Sequence, residues 1–578
     1  MTGSKPHASA RWPLLAAVVL LGVGLIVLIF FLARLNNAAS DSGAVLIRPE
    51  QSLQEALNRA QAGDVLELVS GATYQGPAAI KTQGVTLRSN GSAPAIIEGT
   101  LDADQDKQDV LLVLAADVQV QNLELRGGAR GLVVDGATGC RILGNRLVDN
   151  EVGLEASEAD KLLIQDNQVE GSEFMGISIS RAVTDTHVER NRVTKAKGLA
   201  IRVANSTDIV IQANEIDASP ELEIGVQVSL GERISVLDNH VRSITQRDVG
   251  ILIEVSHASQ ITANHIEMAQ IGIQEDRARD NAIRRNRVQG TTLAIRSSMS
   301  NGTVIEENVI DNVMIGIYVL NAEDVKVSGN QVSNAQQFGL DVEFMERMEV
   351  AQNTVTKSAA GMMVAFVNNS RFEQNALSDN QWGMAVLQSN GNAIAGNQLK
   401  NNAQAGLTLM FTSTNNTVQN NQLQGNRIGM WTILATANQI LRNEVRDNAI
   451  GLSLSHAGGG TDVIENLLQA NGKGILVEPL SGIEAANTVL SVFDVRLSIP
   501  QGGDNTGYRI ARNNFVDNRE FGLENLDTTL TLEADQNWWG QASGPAGAGN
   551  GSGNAVSQGV SVSPWLFAEA DWTNENGS

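Results

Sequence analysis

The chain has 578 residues, with 64 acidic against 41 basic side chains and a formal net charge of −23. That balance excludes a nucleic-acid partner and opposes close approach to anionic lipid or strongly acidic polymers. The single cysteine, Cys140, excludes an intrachain disulfide and is expected to be buried in its strand-like run. There is no P-loop, no Gly-x-Gly-x-x-Gly after a strand and no Cys/His zinc spacing.

Residues 12–33 carry no charge, and at 1.5 Å per residue they span about 33 Å, enough for one membrane crossing. The run is too long for a signal-peptide core and no A-x-A site follows it, so the spacing predicts an uncleaved anchor over 12–35. Lys5 and Arg11 precede it and Arg34 follows, which places residues 1–11 in the cytoplasm. Residues 36–44 then form a short tether, and 45–567 lie outside, in the periplasm or at the cell surface.

SLQEALNRAQAGD, from Ser52, predicts a short amphipathic helix over 52–62. Ser52 and Glu55 form a capping box, Leu53, Ala56, Leu57 and Ala60 share a face, and Gly63 suits the C′ position. Such a helix would plug the open end of a solenoid, whose end turns need a cap.

From there an asparagine returns every 22 to 25 residues, followed at the second position by Val, Ile or Leu in all but Asn122 and Asn537. The series is Asn122, Asn145, Asn167, Asn191, Asn214, Asn239, Asn264, Asn286, Asn308, Asn330, Asn353, Asn375, Asn397, Asn421, Asn443, Asn466, Asn514 and Asn537. Eight to eleven residues after most of them a Gly opens an alternating apolar run, as in GVQVSL at 225 and GILIEV at 250. A fixed period of this size means one unit stacked many times. Each unit holds two or three period-2 strands and no helix, which describes one rung of a parallel β-helix. An inward Asn at the same corner of every rung would satisfy its amide on the Asn above and below. Asn also tolerates the left-handed backbone of tight corners, and the recurring Gly is expected at positive φ. The series skips once, between Asn466 and Asn514, and predicts an insertion loop at about 481–506. At the far end, Asn537-Trp538-Trp539-Gly540 and VSVSPWL at 560–566 predict a C-terminal cap over 537–567, followed by a tail over 568–578.

The opening QSLQEALNRAQAGDVLELVSGATYQG and the close NWWGQASGP…VSVSPWL resemble bacterial right-handed parallel β-helix proteins of the pectin-lyase-like superfamily, over roughly residues 44–567. The resemblance implies an all-β, single-chain, right-handed β-helix of about twenty rungs. That superfamily spans lyases, hydrolases, epimerases and non-enzymes, so it speaks to fold and not to function. Runs such as NNQLQGNRIGMWTILATANQILRNEVRDNAIGLSLS further resemble the NosD-type periplasmic β-helix proteins, which assist copper-site maturation of nitrous-oxide reductase. This second resemblance implies copper and an ABC transporter as partners.

Residues two and four beyond each recurring Gly are expected to face outward. Glu254, Asp276, Arg296, Tyr318, Asp341 and Glu343 then fall on neighbouring rungs. Carboxylates beside an Arg and a Tyr suit acid–base work on a sugar ring, and could hold Ca²⁺, though no ligand loop is present. The competing reading is a solvated strand face with cross-rung ion pairs. The motifs of alginate epimerases (Asp-Pro-His-Asp), polygalacturonases (Gly-His-Gly, Arg-Ile-Lys) and pectate lyases (Trp-Val-Asp-His) are absent. Four further rungs place Met363, Leu387, Met410, Trp431 and Ile433 outward, an apolar strip that reads as a partner-binding surface or as a face covered by a loop or tail. Met thioethers suit Cu(I), but Met362, Met384 and Met430 are expected to point inward. Finally His240 and His265 each follow a ladder Asn on successive rungs and stack near Arg192, Glu215 and Arg287; with Glu215 or Asp238 they could hold a metal, but the basic neighbours and the lack of a clear third ligand favour a solvated column.

Two functions follow. The first is a membrane-tethered binding scaffold for an extended polysaccharide or for a periplasmic or membrane protein, an accessory factor of NosD type. The second is a lyase or C5-epimerase of uronic-acid polymers using the acidic face.

Overall fold

In the computed structural model the described residues are 43–217, 219–242, 248–479 and 505–571. The expected anchor at 12–35, the segments flanking it, nearly all of the insertion at 481–506 and the end of the tail lie outside them. Among the described residues, no helix is long and apolar enough to cross a membrane.

The chain winds as a right-handed parallel β-helix. Twenty strands form one sheet and 38 form another, which contains the remaining two faces. Each strand pairs in parallel with its counterpart one turn away, from Val45–Ile47 on Val65–Leu68 to Asp462–Ile464 on Arg509–Ala511. Two long strands, Val309–Leu320 and Gln331–Glu343, run through the corner between the two faces of the larger sheet.

The interior follows from period-2 alternation locked to a constant turn length. Ile142, Ile164, Val188, Ile211, Val236, Ile261 and Ile283 lie in register on successive turns, all fully buried. Burying each stabilises the fold by about 1.5–3 kcal/mol. Cys140 lies in this interior as a free thiol, and burial raises its pKa.

The asparagines make a continuous ladder from Asn145 to Asn537. Asn145 Nδ2 donates to Asn167 Oδ1 at 3.1 Å, Asn286 to Asn308 at 3.0 Å and Asn443 to Asn466 at 3.0 Å. Each amide also donates to a backbone carbonyl of the preceding turn, and each Oδ1 also accepts the backbone N–H of the preceding ladder Asn. Every hydrogen-bonding position of a buried amide is thereby used.

Two members of the sequence series are displaced by one residue. The turn after Asn466 enters the ladder through Asn513, while Asn514 begins the next strand and bonds Glu569 and Ala570. On the turn before Asn145, Leu123 occupies the ladder position, and Asn122 sits one residue earlier at φ 52. That earlier position is the left-handed one throughout, filled by Asp166, Arg190, Ala213, Asp238 and Arg285 among others. The ladder Asn itself has no positive φ.

The recurring glycines also differ from expectation. Gly250 has no positive φ. A Cβ there would lie 2.6 Å from the Gly272 carbonyl and 2.7 Å from Ile266 Cγ2. These glycines are required by close approach between turns at a corner.

The N-terminal helix is Leu53–Arg59, shorter than the sequence predicts, because Ala60 turns extended at ψ 139. Ser52 Oγ accepts from Glu55 N, and Glu55 pairs with Arg59 in place of closing a capping box. Leu53 and Leu57 cover the first turn. At the other end Trp539 is fully buried and stacks on Phe515 at 4.4 Å, while Trp538 is half-buried.

Replacing Asn308 by Ala leaves Asn286 Nδ2 and a backbone N–H without acceptors. The expected cost is about 1–3 kcal/mol, read as a lower denaturant midpoint. Asn122→Gly, outside the ladder and compatible with its backbone, is expected to shift the midpoint much less.

Candidate functional site

Strand register separates the acidic face into two outward columns. One runs Leu252, Gln274, Arg296, Tyr318, Asp341, Met363; the other runs Glu254, Asp276, Ser298, Leu320, Glu343, Ala365. Asp276 and Glu343 are therefore three turns apart, about 14 Å at one strand spacing per turn. The six candidate residues form two groups and do not converge on one sugar ring.

In the first group Glu254 accepts from Gln227 Nε2 at 3.3 Å and Ser229 Oγ at 3.2 Å, and Asp276 pairs with Arg277 at 3.0 Å. In the second, the Tyr318 hydroxyl donates to Glu343 Oε2 at 3.1 Å. Burial, with the Glu343 and Asp341 carboxylates, raises the Tyr318 phenol well above its ordinary value. Asp341 is only 4% exposed and its Oδ1 has no hydrogen-bond partner. Burial first, then the Glu343 charge, pushes its pKa up to about 8.

Beyond Asp341 the outward face turns apolar. Met363, Leu387, Met410, Trp431 and Ile433 are 0–7% exposed and pack with Trp382, Phe411 and Leu434 in a cluster separate from the interior. The strip is thus buried in this structure.

The histidines lie on another face. His240 and His265 are in register on the paired strands His240–Arg242 and His265–Glu267, with ring centroids 4.8 Å apart and planes within 9°. Their third neighbour is Glu267, not Glu215, which is tied to Arg192 at 2.6 Å. Among the described residues, these are the only three His, Cys, Asp or Glu side chains whose ligand atoms lie together, all within 4.8 Å. Glu254, Asp276, Asp341 and Glu343 form no such group. Burial holds His265 below its ordinary pKa, against the opposing pull of Glu267.

No curated protein matches this chain. The family model described as periplasmic copper-binding protein (NosD) matches residues 69–246, 240–366 and 338–539. The chain belongs to the NosD family. Among solved structures, this NosD-family chain is similar to a lacto-N-biosidase from Eubacterium ramulus, at 11% identity and TM-score 0.31, covering 56% of this chain and 65% of that enzyme. It is also similar to the periplasmic alginate epimerase AlgG, at 16% identity and TM-score 0.30, covering 67% and 77%. A third is PfbA, a surface adhesin of Streptococcus pneumoniae, at 11% identity and TM-score 0.37, covering 56% and 89%.

The copper in the NosD family's description can be set against the donors present. Met362, Met384 and Met430 are interior, and Met363 and Met410 stand on different outward columns two turns apart. The thioethers therefore make no joint ligand set. Two imidazoles with a carboxylate suit Cu(II) or Zn(II).

The sequence reading missed Glu267 and Glu275. Glu267 lies two residues beyond His265 and so on its face, a His-x-Glu signal. Glu275 points inward and is fully buried, accepting from Ser297 at 2.6 Å, Asn281 at 2.9 Å and Thr303 at 3.0 Å. Burial raises its pKa against those three hydrogen bonds.

Asp341 generates a pH prediction. Folded protein keeps its proton to about pH 8, whereas the unfolded chain releases it near the ordinary 3.8. The folded state binds more protons between those values, so this residue erodes stability as pH rises from about 4 through 8. Asp341→Asn is expected to melt close to wild type at pH 4 and at a higher temperature than wild type at pH 9, by calorimetry.

Proposed function

We propose that this protein is an extracytoplasmic binding scaffold of NosD type, an accessory to copper-site maturation of a partner enzyme. The observation that carries this reading is the state of the outward carboxylates. Glu254 and Asp276 are held by adjacent side chains, four and three turns from Glu343. Asp341, whose pKa is pushed up to about 8, is 4% exposed, which disfavours a direct role on a polysaccharide. A rod of this length offers a partner many turns of surface. The family's periplasmic description and the uncharged run at 12–33 support a position outside the cytoplasm, tethered to the membrane.

The enzyme reading retains one support: Arg296, Tyr318, Asp341 and Glu343 gather on three successive turns. The test is direct. Full-length protein is screened on uronic-acid polysaccharides, following unsaturated-product absorbance and C5 proton exchange. No turnover is expected, with or without Ca²⁺, for wild type or Arg296→Ala. Turnover that Asp341→Asn loses would establish a lyase or epimerase in its place. In the producing cell, deletion is expected to leave the partner copper enzyme exported but under-metallated; full metallation would sink the accessory role.

A further inference from the structure

We propose that His240, His265 and Glu267 form a binding site for an imidazole-preferring divalent cation, Cu(II) or Zn(II), on the flank of the rod. The site goes beyond the scaffold reading and does not depend on it.

The ladder builds the site. Asn239 and Asn264 are consecutive ladder members, with Asn239 Nδ2 donating to Asn264 Oδ1 at 3.0 Å. The residue after each is a histidine, so the same register that joins the amides stacks the rings. Glu267, two residues beyond His265, returns to the same face of its strand. Both Nε2 atoms turn toward its carboxylate, 3.0 Å away for His265 and 3.9 Å for His240.

Both nitrogens are buried and neither makes a hydrogen bond. An unpaired buried polar atom carries a free-energy cost of about 1–3 kcal/mol; His265 Nε2 keeps an ion-pair contact with Glu267 at 3.0 Å, while His240 Nε2, 3.9 Å from the same carboxylate, has a partner to gain from a bound cation. The chain holds an internal comparison. His187 and Glu189 share the His-x-Glu spacing on the strand Thr184–Glu189, and there Nδ1 and Oε1 make an ordinary contact at 2.9 Å. That pair has no second imidazole. At 240 and 265 a second imidazole joins a His265–Glu267 contact of 3.0 Å, and three donor atoms lie within 4.8 Å.

The donor chemistry selects the ion. Two imidazoles exclude the hard cations Ca²⁺ and Mg²⁺, which take oxygen ligands. Without thiolate or thioether the set does not favour Cu(I). Metal–nitrogen bonds of about 2.0–2.1 Å require the two stacked rings to tip toward Glu267, and both are half-exposed on their outer edges. Gln289 Nε2 donates to Glu267 Oε1 at 2.7 Å and orients the carboxylate, as outer partners of metal ligands do. Arg287 follows His265 in register and Arg242 stands opposite Glu267, so the neighbouring charge weakens cation binding. Three protein donors beside solvent leave a coordination position open, which suits a cation that is taken up and passed on more than a closed structural site.

The experiment uses full-length protein stripped with chelator, titrated with Cu(II) or Zn(II) by calorimetry. One site per chain is expected. His240→Ala and His265→Ala should each weaken binding by at least about tenfold, since outer-shell losses alone reach 10–100-fold. Glu267→Gln should weaken it comparably, and His187→Ala should leave it unchanged. On the Cu(II) form, electron paramagnetic resonance should show two imidazole nitrogens in wild type and one in either histidine variant. Retained affinity in both histidine variants overturns the assignment, as does a wild-type spectrum without two nitrogens or no binding at all. Circular dichroism separates a lost ligand from a lost fold. A partner enzyme fully metallated without this protein, together with intact binding here, would remove the accessory role and leave the site.

Discussion

Register between turns depends on one repeated interaction, the amide-to-amide hydrogen bond at a single corner. Each ladder Asn gives one proton to the next Asn and one to the backbone, and accepts two in return. A slip by one residue would leave these groups unsatisfied in an apolar interior, at a cost of about 1–3 kcal/mol per group. It would also turn every inward Val and Ile to the outside. Both penalties grow with the number of turns, so a long solenoid is held in register more firmly than a short one. Loops of different length are tolerated between corners because the corner restores the register each time.

Most of this was legible from spacing alone. The Asn period and the Gly-led alternation fix which residues face in and which face out, because side-chain parity is two and the turn length is nearly constant. The two displaced members show where the pattern loses resolution. At Asn513 and Asn514 two candidates are adjacent, and only strand pairing selects the first. At Asn122 a left-handed corner residue resembles the ladder residue it precedes. The reason for the glycines was not legible either, since positive φ and contact with the next turn both demand a missing Cβ. Further amide ladders at other corners, such as Asn402–Asn426–Asn448 and Asn392–Asn416–Asn438, are hidden among ordinary turn asparagines.

The outward face was legible as positions and not as environments. Parity places Met363 and Trp431 outside the coil, but burial depends on what packs against them, and both belong to a second apolar cluster. Asp341 sits at the border of that cluster, in register with Met363. Burial at that border, with the nearby Glu343 charge, raises its pKa. Glu275 makes the complementary point. A Glu between Gln274 and Asp276 reads as part of a polar surface run, yet alternation turns it inward, where three hydrogen bonds receive it.

The amide ladder also has a direction and two different ends. Its last member, Asn537, turns its amide back to the carbonyls of Ile510 and Ala534 and donates to no further side chain. On the turn before Asn145, Leu123 stands in the ladder position and offers no amide. Above and below, Leu53 and Leu57 of the short helix and the Phe515–Trp539 stack close the apolar bore. An uncapped β-helix would present matching strand edges at head and tail, the condition for copies to add end to end into a fibre. The helix at one end and the Phe515–Trp539 stack at the other oppose such end-to-end addition.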